Sequence, residues 1–225
     1  MSDRQTRDEY NQRGAREGVS HLKDYAGWDY LSPQDWTSLA RRTADFVGIK
    51  DGDACFEAGC GSGAFLAELA AYRRISLAGV DFAENLVAIA RAKLVGAFTN
   101  ADITAMPHIP SARYDVVLSH GVFLYLGTVD RARSAALELF RVARPGARVY
   151  VGIVNDPDRQ APTEHPPSGT FFLNRSFWRA FAQEQGATLS VVDQDSIFSK
   201  DAGYDCYSRL RYSVLLTTPG SSHRP

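Results

Sequence analysis

The segment "ACFEAGCGSGAFL", Ala54 to Leu66, combines residue types that suit a nucleotide-like ligand. Gly59, Gly61 and Gly63 alternate between an apolar run and the beginning of a helical pattern, and Glu57 precedes them by two residues. Because glycine lacks a Cβ, the backbone of such a turn can approach a ligand closely, and the following helix offers N–H groups at its N-terminus. The pattern predicts a ligand-binding turn with a carboxylate beside it.

Acidic residues at the ends of two further predicted strands help to separate two ligand classes. The turn "GCGSGA" satisfies a loose dinucleotide fingerprint, so a pyrophosphate dinucleotide and a cationic adenosyl compound both remain possible. Glu57 would repel a pyrophosphate and attract a sulfonium or ammonium group. Asp81 suits either ligand, because a carboxylate about twenty residues after the turn can accept hydrogen bonds from ribose hydroxyls. With Asp102 at the third strand, these acidic residues favour a cationic ligand.

Four segments in chain order carry a family resemblance. They read "CFEAGCGSGAFLAEL", "LAGVDFAENLVAIARAKL", "NADITAMP" and "YDVVLSHGVFLYL". Together they resemble the class I S-adenosylmethionine-dependent methyltransferases, over roughly residues 46–155. The resemblance implies S-adenosyl-L-methionine as the cofactor. It also implies a doubly wound, Rossmann-like α/β fold with a seven-stranded mixed sheet of order 3-2-1-4-5-7-6, the last strand being antiparallel.

The resemblance also implies which residues contact the cofactor. Asp81 would hold the ribose hydroxyls, Phe82 would pack near adenine, and Asp102 would meet the adenine amino group with the Ile103 N–H nearby. Ser119 would lie beside the methionine part. The alternative for Asp81 is a helix N-cap. The complete predicted cofactor-binding set is Glu57, Gly59, Cys60, Gly61, Gly63, Asp81, Phe82, Asp102, Ile103, Ser119, Tyr25 and Trp28.

His120 is the predicted catalytic residue. Methyl transfer from a sulfonium requires alignment of the nucleophile and exclusion of water, and only an alcohol or a protonated amine also needs a general base. His120 follows the apolar stretch of the fourth strand, at the carboxyl edge where open α/β sheets bind ligands. Its neutral imidazole could accept a proton near physiological pH. The alternative is a histidine hydrogen-bonded within the turn after the strand; His165 is a weaker candidate base.

Aromatic residues near the N-terminus have two possible roles. Tyr25, Trp28 and Tyr30 could form a lid whose rings attract a sulfonium and keep the site dry, or they could be core. Trp36 is expected in the core, since aromatic residues usually pack. Phe123 and Tyr125, shortly after His120, could shape the acceptor pocket.

From Asp53 onward, short apolar strands alternate with amphipathic helices, and these elements position the candidate site residues. This alternation is typical of a parallel sheet covered on both faces by helices. We expect residues 1–45 to form an N-terminal helical lid and 46–219 the methyltransferase domain, with a variable proline-rich loop at 156–173. The late runs "ATLSVVD" and "SRLRYSVLLTTP" have no helix between them, so they are expected to pair antiparallel.

Composition limits the function classes. The 225 residues carry 25 Lys and Arg against 26 Asp and Glu, which gives no electrostatic case for a nucleic-acid partner. The three cysteines fit neither a disulfide framework nor a metal motif, and no metal is expected. No apolar run is long enough to cross a membrane, and the charged N-terminus does not resemble a signal peptide. We therefore expect a cytoplasmic protein with no membrane partner.

The leading prediction is a methyltransferase acting on oxygen, nitrogen or carbon of a small-molecule acceptor. A protein, peptide or nucleic-acid methyltransferase on the same fold is the alternative, although the Asn/Asp-Pro-Pro-aromatic sequence of base-modifying enzymes is replaced by "SHGVF" here. An NAD-dependent oxidoreductase would explain the glycines and Asp81 but not Glu57 or Asp102. A non-catalytic relative that binds cofactor also remains open. The oligomeric state is not predicted.

Overall fold

The computed structural model describes residues 3–25, 27–159, 171–197 and 210–220. His165 and much of the predicted variable loop lie outside these ranges.

Eight helices and seven strands occupy the described residues. The helices are α1 Asp3–Gly14, α2 Leu22–Tyr25, α3 Pro33–Val47, α4 Ala64–Tyr72, α5 Glu84–Lys93, α6 Val129–Val142, α7 Arg175–Gln185 and α8 Gln194–Ile197. The strands are β1 Ala54–Ala58, β2 Ser76–Asp81, β3 Gly96–Asn100, β4 Tyr114–His120, β5 Ala143–Asn155, β6 Thr188–Asp193 and β7 Arg211–Thr217. Short 3-10 turns lie at Phe123–Tyr125 and Pro157–Arg159.

The sheet has the order β3-β2-β1-β4-β5-β7-β6, which confirms the predicted topology. β1 to β5 pair with one another in parallel, whereas β7 is antiparallel to both β5 and β6. Two apolar clusters cover the two faces of the sheet, because the central strands carry buried residues on both sides. This places the carboxyl ends of β1, β2 and β4 next to one another at one edge.

Local sequence signals determine several helix ends. Ser32, Thr128 and Asn174 each cap a helix by accepting a backbone N–H, and α3 ends at Gly48 with a positive φ of 72°. α6 ends at Val142, and the next residue, Ala143, already pairs with Tyr114 of β4.

β5 contains a bulge where it pairs with β7. The pairs Val151–Val214 and Val154–Tyr212 flank it, so β5 has one residue more than β7 between them. The extra length includes Ile153, which has a φ of 63°.

Among the described helices, no segment combines the length and the apolar character required to cross a membrane.

Candidate functional site

A cavity of about 290 Å³ lies at the carboxyl edge of the sheet. Ten of the predicted site residues line it: Trp28, Glu57, Gly59, Cys60, Gly61, Asp81, Phe82, Asp102, Ile103 and His120. The other three predicted residues, Tyr25, Gly63 and Ser119, are described by the structure but are not part of its lining. The edge at which β1, β2 and β4 end is therefore where the predicted residues meet.

Gly63 and Ser119 have structural contacts instead. A Cβ on Gly63 would lie 2.5 Å from Leu94 Cδ1, so this glycine allows α4 to pack closely against the end of α5. The buried Ser119 hydroxyl donates to Ala58 O at 3.0 Å, which joins β4 to β1 behind the cavity. These two residues support the site from outside it.

Several N–H groups of the glycine turn already donate hydrogen bonds to other groups of the protein. Gly59 and Cys60 donate to Val80 O at 2.7 and 2.9 Å, Gly61 donates to Asp81 Oδ2 at 2.8 Å, and Gly63 donates to Cys60 O at 2.8 Å. A pyrophosphate normally sits on N–H groups that point at the ligand. The turn therefore provides a bare backbone surface, and its hydrogen bonding disfavours a diphosphate.

Gly59 is required where the turn approaches the segment after β4. Its φ is 80°, and a Cβ there would overlap Val122 Cγ2. Any larger residue at this position would displace Val122 from the wall of the cavity.

Asp81 joins the end of β2 to both neighbouring turns. Its Oδ2 accepts the Gly61 N–H and its Oδ1 accepts the Ala83 N–H, each at 2.8 Å. Ala83, not Asp81, occupies the N-cap position of α5, so Asp81 is not the helix cap. Burial raises the pKa of Asp81 to about 6, although these backbone hydrogen bonds act to lower it.

Glu57 is a buried carboxyl group with an unused oxygen. The residue is 2% exposed, and its Oε2 has no hydrogen-bond partner among the described residues. Burial, followed by the nearby charge of Asp81, raises the pKa of Glu57 well above its ordinary value. A carboxyl group buried without a partner is costly, so this position suits a cationic or hydrogen-bond-donating group of a ligand.

Asp102 closes the side of the cavity next to β3. Its Oδ1 accepts the Thr104 N–H at 2.9 Å and the Thr104 hydroxyl at 2.8 Å, and its Oδ2 lies 3.2 Å from Arg131 Nη2. Burial alone would raise the pKa of Asp102, but these hydrogen bonds and the Arg131 charge lower it. Asp102 is therefore held ionised at the cavity wall.

Helix α1 supplies a wall that the sequence prediction did not identify. Thr6, Tyr10 and Arg13 line the cavity, and the Tyr10 ring lies 6.3 Å from the Phe82 ring. The sequence of this helix is strongly polar, so no periodic apolar face indicates that the helix packs on a cavity. Tyr10, an aromatic residue within this polar segment, is the feature that could have indicated a contact there.

His120 lies in an aromatic environment. It is 5% exposed, and its ring stacks on that of Phe65, with the ring centroids 4.3 Å apart and an angle of 7° between the ring planes. The Trp28 ring is 5.4 Å away, and neither ring nitrogen of His120 has a hydrogen-bond partner among the described residues. The alternative of a histidine hydrogen-bonded within its turn therefore does not describe this geometry.

Burial lowers the pKa of His120 to about 3, with a smaller effect from the Arg211 charge. The imidazole is neutral, as the sequence interpretation required. However, an imidazole with this pKa is a weak base, which argues against the predicted role in accepting a proton near neutral pH.

The aromatic residues considered as lid or core divide between the two roles. Trp28, Tyr30 and Trp36 line the cavity, and Trp36 is also buried in the core against Phe65. Of the two residues expected to shape the acceptor pocket, Tyr125 lines the cavity, whereas Phe123 is buried in an apolar cluster and is not among the lining residues. The segment that carries Trp28 is joined to the glycine turn, since the buried Ser62 hydroxyl in that turn donates to Leu22 O at 2.7 Å.

Two further lining residues, Ile153 and Arg211, come from β5 and β7. Arg211 Nε donates to Asn155 Oδ1 at 3.2 Å. Sequence reasoning did not identify either residue, because their positions depend on the β5–β7 pairing and its bulge.

Within the described residues, no group of three or more His, Cys, Asp and Glu side chains is arranged to hold a metal ion.

Comparisons with known proteins agree with this arrangement. Residues 56–151 match the family model described as a methyltransferase domain. A curated relative is the tRNA (carboxymethyluridine(34)-5-O)-methyltransferase ALKBH8 of Macaca fascicularis, 29% identical over 103 residues. The match covers 46% of this chain and 15% of that relative, so the chain spans a small part of the relative's length.

Three solved structures show the same fold. A methyltransferase in complex with the Haloferax volcanii Trm112 methyltransferase activator has a TM-score of 0.68 and 19% identity, covering 94% of this chain and 98% of that one. An amino pentose methyltransferase from Micromonospora echinaspora with bound SAM has a TM-score of 0.67 and 16% identity, with coverage of 90% and 99%.

The magnesium protoporphyrin IX methyltransferase from Synechocystis, also with bound SAM, has a TM-score of 0.62 and 17% identity, with 98% of both chains covered. Residues 56–151 match the methyltransferase domain model, and the seven strands have the order that the resemblance to the class I S-adenosylmethionine-dependent methyltransferases implies.

Proposed function

We propose that this protein transfers a methyl group from S-adenosyl-L-methionine to an oxygen, nitrogen or carbon atom of a small-molecule acceptor. The observation that carries the proposal is the cavity of about 290 Å³, which the N-terminal helices and the carboxyl edge of the sheet line together. A space of this size suits a compact acceptor better than a folded macromolecule.

The residues present fit the cofactor. Glu57 offers an unpartnered carboxyl oxygen to a cationic group, Asp81 offers acceptor oxygens to ribose hydroxyls, and Gly59 presents bare backbone. Phe82 and Tyr10 provide ring surface on the side of the cavity near Asp102, which suits adenine. When bound, the cofactor supplies an already activated methyl group, so the protein is required mainly to orient the acceptor and exclude water.

The N-terminal segment, residues 1–45, serves as the lid in this proposal. α1 is joined to α5 by two Asn11–Asn85 hydrogen bonds of 3.2 and 3.0 Å, and the Ser62–Leu22 bond holds the next part of the segment on the glycine turn. Trp28 and Tyr30 of this segment line the cavity, where their rings would restrict water. The three cysteines do not fit a disulfide framework, which suits activity in the reducing cytoplasm.

A nucleic-acid or peptide acceptor is the second candidate, and the specific observation in its favour is the matching tRNA methyltransferase relative. The near balance of basic and acidic residues gives no electrostatic support for a polyanion. Transfer to small acceptors that is unchanged between low and high salt would favour the first candidate; transfer to tRNA that weakens steeply with salt would favour the second.

Calorimetric titration with S-adenosylmethionine tests the cofactor assignment directly. We expect binding with one site per chain, competition by S-adenosylhomocysteine, and no competition by NADH. A panel of acids, amines, alcohols and phenols, scored by S-adenosylhomocysteine release, then tests transfer. Absence of cofactor binding at millimolar concentration would contradict the proposal, and binding without transfer across the panel and tRNA would favour a non-catalytic relative.

A further inference from the structure

Three buried polar side chains in the wall of the cavity have atoms without a hydrogen-bond partner. These atoms are Trp36 Nε1, Glu57 Oε2 and both ring nitrogens of His120, and no described residue bonds to any of them. Trp36 is 1% exposed and the other two are also buried, so bulk water does not compensate them. Since a buried polar atom without a partner is costly, these side chains indicate where a ligand supplies the missing partners.

The proposed binding of the cofactor uses one of the three. Glu57 lies in β1 and offers its carboxyl group to the cationic part of the cofactor, and Asp81 ends the next strand in the sheet, β2. His120 ends β4, on the other side of β1, and the Trp36 ring lies 6.4 Å from the His120 ring. Trp36 and His120 therefore lie together on the side of β1 away from the ribose carboxylate, where an acceptor would lie.

Charge does not distinguish one part of this cavity from another. Its wall contains arginines as well as carboxyl groups, and each arginine has a polar partner within the protein. These arginines are Arg13, Arg131 and Arg211. Recognition of an acceptor must therefore come from hydrogen bonding and from the surface of the surrounding rings.

Aromatic rings surround the two unpartnered side chains. The His120 ring is stacked on Phe65, and the Trp28 ring lies 5.4 Å from His120 and 5.3 Å from Trp36. All four of these rings line the cavity. Because rings offer flat apolar surface and do not solvate an anion, this part of the wall suits an uncharged aromatic molecule.

Trp36 and His120 together define the polar group that fits between these rings. An indole Nε1–H only donates, so the ligand atom beside it must carry a lone pair, which an ammonium group lacks. Burial, and to a smaller extent the Arg211 charge, lowers the pKa of His120 to about 3, so its imidazole is neutral, with one N–H and one bare nitrogen. A hydroxyl group fits either nitrogen because it both accepts and donates, whereas a carbonyl group fits the N–H alone.

We propose that Trp36 and His120 form the recognition site for the methyl acceptor, and that they bind the hydroxyl group of an uncharged phenol. The inference rests on the proposed function and names its substrate class. The phenol oxygen accepts the Trp36 Nε1–H, the same hydroxyl bonds to His120, and the ring of the acceptor lies against Trp28 and Phe65.

This hydroxyl group orients the acceptor and does not receive the methyl group. A hydrogen bond from Trp36 draws electron density away from the oxygen, which makes it a poorer nucleophile. Methylation of the oxygen would also require loss of the phenol proton, and His120, with a pKa of about 3, is too weak a base to accept it. Trp36 and His120 therefore determine specificity and position, and another atom of the acceptor is methylated.

The first experiment observes the indole N–H groups by nuclear magnetic resonance. The full chain is labelled with nitrogen-15 tryptophan and saturated with S-adenosylhomocysteine, and its three tryptophans give three signals that Trp→Phe variants assign. The probes are phenol, 2-naphthol and 4-hydroxybiphenyl. Each is compared with the methylarene of the same shape, in which a methyl group replaces the hydroxyl, and with the matching arenecarboxylate.

We expect at least one phenol to move the Trp36 signal downfield, because Nε1–H gains a hydrogen bond that the matched methylarene cannot supply. The Trp178 signal should stay in place, since Trp178 Nε1 already donates to the Tyr212 hydroxyl at 3.0 Å. No movement of the Trp36 signal by any phenol, or equal movement by the matched methylarene, would overturn the inference. Failure to bind S-adenosylhomocysteine would instead contradict the proposed function.

Calorimetric titration of the same complex measures the selectivity. We expect the phenol that moves the Trp36 signal to bind about tenfold more tightly than its methylarene and its carboxylate. A carboxylate that binds as tightly as the phenol would show that the site takes a charged acceptor, which contradicts the inference. Formation of a methoxyarene from any of these phenols with S-adenosylmethionine would show that the hydroxyl is the reacting group and would overturn its role in recognition.

The second experiment removes the hydrogen-bonding atoms and keeps the rings. Trp36→Phe and His120→Phe should each reduce the preference for the phenol over its methylarene by about five- to tenfold. Trp178→Phe is the matched control, because it also removes an indole N–H but lies in the core and is not among the residues that line the cavity. A wild-type preference in a folded Trp36→Phe or His120→Phe variant would overturn the assignment of that residue, and if neither variant folds, the titration of the wild-type chain decides.

Discussion

The carboxylate of Asp81 accepts the backbone N–H of Gly61 at 2.8 Å, which joins the end of β2 to the glycine turn after β1. The same side chain accepts the Ala83 N–H at 2.8 Å, so one buried carboxylate fixes two turns at the edge of the cavity. Its pKa, raised by burial to about 6, is the quantity that makes this relationship testable.

Cofactor binding is expected to weaken as the pH falls below about 6. Asp81 must be ionised to accept hydrogen bonds from the two N–H groups and from ribose hydroxyls, and protonation removes an acceptor. The affinity should decrease towards tenfold per pH unit below that pKa. Calorimetric titration with S-adenosylmethionine between pH 5 and 8 measures the slope.

Asp81→Asn provides the comparison for that measurement. The amide keeps the shape but lacks the second acceptor oxygen, so we expect an affinity loss of about 2–3 kcal/mol at pH 7.5. The variant should also lose the acid limb of the pH profile. A variant whose affinity declines with acid as steeply as that of the wild type would show that another group titrates.

Much of the site could be predicted because it depends on local sequence. The fourth strand was predicted to have its apolar stretch just before His120, and β4 spans Tyr114–His120, since a short apolar run bounded by polar residues is a strong strand signal. The ends of parallel strands meet at one edge, so placing Glu57, Asp81 and His120 at strand ends was sufficient to bring them together.

The remainder depends on contacts between distant segments. Gly63 was assigned to the cofactor with the other glycines, yet its closest neighbour is Leu94, which no motif around the turn could indicate. Ile153 and Arg211 face the cavity because of how β7 pairs across a bulge in β5. The weak basicity of His120 arises from four surrounding rings and could not be inferred from its position alone.

Gly59→Ala is expected to destabilise the protein and weaken cofactor binding. The new methyl group would overlap Val122 Cγ2, and the φ of 80° is unfavourable for alanine. We expect a loss of about 2–4 kcal/mol in the free energy of unfolding, from overpacking together with backbone strain. Urea denaturation measures the loss.

Two further variants separate these causes. Gly146→Ala has a similar φ of 75° with no heavy atom within 4 Å of the new Cβ, so it should show only the strain, about 1 kcal/mol. Adding Val122→Ala to Gly59→Ala should restore the share of the free energy of unfolding that is lost through the overlap with Val122. Equal losses in Gly59→Ala and Gly146→Ala would exclude a collision at the turn.

Ile153 should show an inverted preference between alanine and glycine. In an ordinary strand, glycine is about 0.5–1 kcal/mol less stable than alanine. At Ile153, the φ of 63° penalises any residue with a Cβ, so Ile153→Gly should be more stable than Ile153→Ala by about 1 kcal/mol. Both variants lose the buried side chain, so their difference isolates the backbone.

Val151 gives the matched comparison for Ile153, because it is buried two residues away in the same strand and is not among the residues with positive φ. Val151→Gly should be less stable than Val151→Ala. The same order of stability at both positions would contradict strain at the bulge.

His120 is expected to reduce stability in acid. Its pKa is about 3 in the folded protein, chiefly because of burial and then of the Arg211 charge, against an ordinary value of 6.5. Between these values the unfolded chain binds more protons than the folded one, so the free energy of unfolding falls as the pH decreases through this range. His120→Phe keeps a ring for the Phe65 stack and removes the titration.

The free energy of unfolding of His120→Phe, relative to that of the wild type, should therefore rise by about 3 kcal/mol between pH 7 and pH 4. Titration of the buried Asp81 is common to both proteins and cancels in this difference. Urea denaturation at several pH values measures it, and His108→Gln, which removes an exposed imidazole, should follow the wild-type curve. Parallel curves for wild type and His120→Phe would mean that the folded protein can protonate His120, and a role as general base would then become chemically reasonable again.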